Sequence, residues 1–199
     1  MKIHMIYLAA GNSHRFGSNK LLYDFHGMPL YQYGFNQLLE LLKKHDNYTL
    51  DVVTQYDEIV NDIQTLSFLR LSVIRSKESQ LGLSYTIHSG IEKYKNEENS
   101  YFLFLVADQP YIQSKTIESM IDKVLQLQAL LATLKYHQQF ANPTLFHSCF
   151  YDELMMLRGD EGGRKIIKKH QDICFEFVVT DAKEILDYDW KDDMNKQLL

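Results

Sequence analysis

Long apolar runs are missing from this chain of 199 residues, and so are basic tracts. The opening MKIHMIYLAAG carries an apolar stretch too short for a secretory signal core or a membrane span, so neither is expected there and the sequence reads as cytoplasmic. The formal net charge of −5, with no basic cluster, argues against a surface that coats nucleic acid. It leaves room for an anionic small ligand, which needs only a few local cations. Cysteine is scarce: Cys149 and Cys174 are the only two, without metal-ligand spacing, which points to a reducing compartment. No tract is rich in proline, glycine or serine, and there is no internal repeat or low-complexity segment. Residues 1–199 therefore read as a single domain without a linker. What is present is ordinary for a globular chain: 45% hydrophobic and 24% charged residues, enough for a sizeable core.

Apolar patterning alternates between two periods. Ile3–Ala10 reads as a buried strand, and Tyr31, Phe35, Leu38, Leu39 and Leu42 recur at helical spacing. Leu50–Gln55 and Leu69–Arg75 read as strands, with Ile59, Ile63 and Leu66 marking a helix between them. Ile87, Ile91 and Tyr94 form a helix face. Tyr101–Pro110 is the most hydrophobic segment and suits a central strand. Ile117, Met120, Ile121 and Val124 mark the next helix; strands near 132–136 and 143–146 follow, then a helix over 162–170 and a strand over 173–180. Strands alternating with helices predict an α/β fold, a three-layer Rossmann-like sandwich with a mostly parallel central sheet.

Two of only nine glycines flank Arg15 in LAAGNSHRFGSNKLL, residues 8–22. The loop follows the first strand, and ligands in such folds sit at the carboxyl ends of strands. Its spacing is neither a Walker pattern nor G-x-G-x-x-G. Small residues Ala9, Ala10 and Gly11 let backbone N–H groups approach an anion, Arg15 offers a planar fork for phosphate oxygens, and Lys20 a compact charge. Asp108 stands at the mouth of the apolar strand, a costly place for a carboxylate unless a divalent cation compensates it or it caps the turn before Pro110. Gln109 and Pro110 read as turn-shaping. Gly82 and Ser84 sit where a helix begins, an expected place for an N-cap. In RGDEGGRKII a glycine-rich turn enters a helix with Arg164 in its first turn; it suits a phosphate monoester, or Asp160 serves only as a cap.

The string from Leu8 to Leu22 resembles the signature loop of the MobA-like nucleotidyltransferases, LAAGxSxRxGxxK. Further stretches extend the resemblance to about Asp192: ADQP around Asp108, QLGLSYTIHSG with Gly82 and Ser84, and FANPTLF followed by GDEGGR with Asn142, Pro143, Asp160, Gly162 and Arg164. DYDWKDD stands where the family carries D-x-D-T-P-E-D, with Trp190 and Lys191 replacing threonine and proline. Gln138 and Ala141 occupy places where the family often has glycine. The resemblance implies a nucleotide-diphospho-sugar transferase-like fold. It implies a nucleotide site at Leu8, Ala9, Ala10, Gly11, Arg15, Lys20, Gly82 and Ser84, with Arg15, Lys20 and Asp108 catalytic. Mg2+ would sit on Asp108 with Asp187 or Asp189; an acidic first turn of a last helix is the other reading of those two. Asn142, Pro143, Asp160, Gly162 and Arg164 would take the acceptor. The LAAG form and the second segment are typical of the cytidylyl branch, so the implied reaction is transfer of CMP from CTP to the terminal phosphate of molybdopterin, with a molybdoenzyme as a further partner. Two alternatives remain: GTP or a non-pterin phosphate acceptor on the same fold, or a non-catalytic carrier of the cofactor.

Overall fold

A computed structural model describes residues 1–12 and 19–188. Seven strands form one sheet in the order β5 (Leu71–Arg75), β4 (Tyr48–Thr54), β1 (Lys2–Ala9), β6 (Ser100–Val106), β8 (Gln139–His147), β7 (Leu131–Tyr136) and β9 (Cys174–Val178). All neighbouring pairs are parallel except those made by β8, which runs against both β6 and β7. A short hairpin, β2 (Asp24–Phe25) with β3 (Met28–Pro29), stands apart from the sheet.

Side-chain alternation along the strands divides the core in two. Ile3, Met5, Tyr7 and Ala9 of β1 face one side, where α1 (Leu30–Lys44), α2 (Asp57–Gln64) and α4 (Ser114–Leu127) lie. Ile6 and Leu8 face the other, covered by α3 (Leu83–Ile91), α5 (Tyr151–Met155) and α6 (Gly163–Lys169). The result is the expected three-layer α/β sandwich. Gly90 lets α3 lie close to the sheet, because a Cβ there would come within 2.4 Å of Ile6 Cγ2. That close approach brings the start of α3 over the carboxyl end of β1. Among the described residues no helix is long and apolar enough to cross a membrane.

The strands and helices expected from periodicity are all present; α5, five residues long, is an unexpected addition, and three other features differ. The hairpin of β2 and β3 is too short to show a period. The strand expected near 143–146 begins at Gln139 and pairs with β7 through a tight turn in which His137 has φ +50°. No Asn-Gly or Asp-Gly signal announces that turn. Opposite Thr133 and Leu134 the ladder skips from Thr144 to Ala141, leaving Asn142 and Pro143 in a bulge. Pro143 has no N–H to lose from a ladder, so a bulge is where a strand tolerates it.

A polar cluster lies between the sheet and α3. Buried Asp51 accepts hydrogen bonds from Lys93 Nζ (2.6 Å), the Tyr94 hydroxyl (2.6 Å) and the Ser72 hydroxyl. His4 stacks on Tyr94 at 3.8 Å and pairs its Nδ1 with Thr49 Oγ1 at 2.9 Å. Burial pushes the His4 imidazole down from 6.5 to about 4. The unfolded chain therefore binds the extra proton first. His4 contributes stability above pH 6.5 that is lost as the pH falls toward 4, a change of about 3 kcal/mol. Denaturant midpoints measured across that window should fall, and His4→Phe should flatten the fall. An identical slope in the variant would acquit His4.

Candidate functional site

Parallel β1 and β6 end side by side, and their carboxyl ends open a cleft of about 210 Å³. The Ala107 N–H bonds Leu8 O at 3.1 Å, so the two chains stay paired one step beyond the ladder before they part. Leu8, Ala10, Gly11, Lys20, Gly82 and Asp108 are among its walls. Ala9 is fully buried in the core beneath it and does not line it. A Cβ on Gly11 would meet nothing within 4 Å, consistent with an open approach to the backbone there.

The loop after β1 is held from the side by residues that the sequence did not single out. Gln55 Nε2, at the end of β4, donates to Ala10 O at 2.7 Å and to Asn12 Oδ1 at 2.8 Å. Asn12 Nδ2 donates to Gln80 O at 3.0 Å, and the Tyr56 hydroxyl donates to Gly11 O at 2.5 Å. These contacts depend on the register of β1 against β4, for which the local sequence holds no signal. Arg15 lies outside the described residues.

Lys20 opens a short turn, Lys20–Leu22, capped by Asn19, whose Oδ1 accepts from Leu21 N at 3.0 Å. Its ammonium reaches Asp108 Oδ2 at 2.7 Å, with the lysine side chain 10% exposed and the aspartate 20%. The other carboxylate oxygen, Asp108 Oδ1, is buried and has no hydrogen-bond partner among the described residues. A buried anionic oxygen left open in this way fits a hard divalent cation. Asp187 is the second carboxylate of the neighbourhood: its Oδ1 accepts from Gln109 Nε2 at 2.7 Å, and the next residue's Tyr188 N donates to Asp108 O at 3.1 Å. Gln109 thus does more than shape a turn. Asp189 lies outside the described residues. Among the described residues no three His, Cys, Asp or Glu side chains form a closed metal cluster. A cation on Asp108 and Asp187 would take its other ligands from water and phosphate, as Mg2+ prefers.

Aromatic side chains join the three segments that carry these groups. Phe25 of β2 packs on Tyr33, Tyr111 and Tyr188, with ring centroids 5.2, 6.0 and 5.1 Å apart. Tyr111 follows the Asp108 turn, Tyr188 follows Asp187, and β2 follows Lys20.

A second cavity of about 270 Å³ adjoins the first and shares Leu8, Leu83, Val106 and Asp160 with it. Asn142, pushed out by the bulge, lines it together with Gly162 and Arg164. Pro143 is buried and does not line it. Arg164 Nη2 donates to Phe140 O at 3.0 Å, which sets the exposed guanidinium along the cavity rim. The seam between the cavities is a main-chain contact. Gly82, at φ +134°, lies so close to Gly159 that a Cβ would stand 2.3 Å from Gly159 C and O. Ser84 N then donates to Gly159 O at 2.9 Å. Ser84 is wholly buried; Leu83 and Thr86, its neighbours in α3, reach the cleft instead. The structure therefore brings Lys20, Asp108, Gly82 and Asp160 to one cleft, and Asp160, Asn142, Gly162 and Arg164 to the next.

Comparison with known proteins identifies the family and the fold. The family model of the MobA-like NTP transferase domain matches residues 5–173. The purine catabolism protein PucB of Bacillus subtilis (strain 168) is 25% identical over 171 residues, covering 83% of this chain and 80% of PucB. A probable molybdenum cofactor guanylyltransferase of Thermococcus sibiricus is 25% identical over 167 residues, covering 82% of this chain and 77% of the relative. Among solved structures, Rv0371c of Mycobacterium tuberculosis H37Rv superposes with a TM-score of 0.77 at 18% identity, covering 100% of this chain and 98% of that one. Its manganese complex gives 0.75 at 18% identity and the same coverage. At that identity the likeness speaks to fold.

Proposed function

Because the chain belongs to the MobA-like NTP transferase family, and is a nucleotidyltransferase by that membership, we propose that it transfers CMP from CTP to the terminal phosphate of a molybdopterin cofactor. The observation that carries this reading is the Lys20–Asp108 pair in the cleft behind the loop after β1, which adjoins a second cavity rimmed by Arg164. The first suits the nucleoside triphosphate and the second the acceptor phosphate.

An acceptor phosphate oxygen is anionic at neutral pH and attacks the α-phosphorus without a protein base. The new bond joins that oxygen to the α-phosphorus; the bond from the α-phosphorus to the bridging oxygen breaks, and pyrophosphate leaves. The protein's task is to align two anions and offset their charge. Lys20 neutralises the triphosphate from a buried position where water screens it little. Arg15 would add a planar clamp on the same phosphates, and Arg164 would orient the acceptor. Asp108, with Asp187 or Asp189, would hold Mg2+, which supplies charge stabilisation at the phosphoryl oxygens. Ala9–Ala10 and the Gly82–Ser84 segment, with their resemblance to the cytidylyl branch, favour CTP. The guanylyltransferase relative speaks for GTP as the rival nucleotide. The relative named for purine catabolism fits a cofactor destined for a purine-oxidising molybdoenzyme.

The test is a panel of the four ribonucleoside triphosphates with purified molybdopterin cofactor and Mg2+. Pyrophosphate release and a product heavier by one cytidylyl group, CMP less one water, are expected with CTP. Turnover with GTP alone would overturn the choice of nucleotide. Cofactor binding without turnover on any triphosphate would favour a carrier.

A further inference from the structure

We propose that Gln109 is a positioning residue: its buried amide fixes the Asp187 carboxylate beside the Asp108 turn and thereby sets the affinity of the site for a divalent cation. The inference rests on reading Asp108 and Asp187 as cation ligands.

The side chain of Gln109 is only 2% exposed, an expensive place for an amide unless it is used. Its Nε2 donates to Asp187 Oδ1 at 2.7 Å across a separation of 78 residues. No regular element carries Asp187 into place, since it follows a short turn over Ala182–Ile185 and precedes no described helix or strand. This side-chain bond helps to dock it, together with the main-chain bond from Tyr188 N to Asp108 O. Pro110 restrains the backbone of Gln109 toward an extended conformation, which limits the directions the amide can take.

The chemical type of the donor matters as much as its place. A lysine or arginine here would neutralise the carboxylate and compete with a cation. A neutral amide orients one oxygen and brings no positive charge of its own to the carboxylate. The other amide atom, Gln109 Oε1, is buried without a partner among the described residues, as is Asp108 Oδ1 of the preceding residue. Both are oxygen acceptors, the type that hard cations and their bound waters seek. Outer partners of this kind orient ligating groups and are worth roughly 10–100-fold in metal affinity.

The experiment uses the full chain and Mn2+ itself, with free Mn2+ followed by electron paramagnetic resonance. Gln109→Met removes the donor at nearly constant volume, and its Mn2+ Kd is expected to rise about 10-fold or more. In turnover assays the Mn2+ concentration for half-activation should rise in step, while kcat at saturating Mn2+ stays near the parent value. In an Asp187→Ala background Gln109→Met should change the Kd no further, since the amide acts through that carboxylate. An unchanged Kd in Gln109→Met, or losses that add in the double variant, would overturn the proposal. If Gln109→Met fails to fold, Gln109→Asn keeps the amide but falls short of Asp187, and the same readings apply. Asp108→Asn serves as the separate check on the underlying reading. Mn2+ binding that survives Asp108→Asn intact refutes the cation site itself, whereas loss there with no effect at Gln109 refutes only the positioning role.

Discussion

Replacing Asp108 with asparagine is expected to lower turnover by about three orders of magnitude while leaving the chain folded. The substitution keeps the shape of the side chain and removes one unit of charge. Two effects follow at the same atoms. The open Oδ1 ceases to be an anionic ligand, and Lys20 Nζ, at 10% side-chain exposure, faces a neutral amide oxygen where a carboxylate stood at 2.7 Å. One preorganised electrostatic group is commonly worth about 3–4 kcal/mol at the transition state, or roughly 10²–10³ in rate. Breaking a buried ion pair costs about 3–5 kcal/mol of stability at most, and partial exposure together with the retained hydrogen bond places this case below that range. Pyrophosphate release at saturating nucleotide measures the first effect and thermal unfolding the second. A variant that keeps a tenth of the parent rate would remove Asp108 from the reaction.

Gly82→Ala should produce the largest loss of stability of any single methyl added near the site. The added carbon would stand 2.3 Å from Gly159 C and O and 2.9 Å from Asp160 N, all backbone atoms that have no rotamer through which to escape. Gly82 also sits at φ +134°, a region that side chains avoid. Conformational strain of about 1–3 kcal/mol adds to an overpacking cost of about 1–3 kcal/mol. For a chain of this size each kcal/mol lowers the melting temperature by about 2–4 °C. A drop of roughly 5 °C or more is therefore expected in calorimetry, together with a raised acceptor KM, since the displaced loop carries Asp160. An unperturbed melting temperature would mean that the two loops part without cost.

The frame of the site was legible because its carriers are buried strands. A continuous apolar run ending in Gly11, and another ending in Asp108, mark β1 and β6 whatever their neighbours are. Lys20 was legible from its spacing in the loop. Contacts that depend on strand order were not: Gln55 reaches Ala10 only because β4 lies beside β1. Gly82 reads in sequence as a flexible residue near a helix start, yet in the fold it is a point of closest approach between distant loops. Gln109 reads as part of a turn because its partner Asp187 lies far along the chain. The rings of Phe25, Tyr33, Tyr111 and Tyr188 come from separate segments and share no period. The antiparallel course of β8 was hidden because its turn lacks the usual residues.

The ring cluster around Phe25 carries a temporal consequence. During synthesis the lysine emerges first, the first aspartate much later, and Tyr188 later still, so the interlocking rings cannot close until the late segment has been made and seated. A half-made chain can already have β1, β4, β5 and β6 while one carboxylate of the pair is still to come. On the proposed reading of Asp187 as a cation ligand, a copy in which the segment around Tyr188 has not seated would lack half of the cation site.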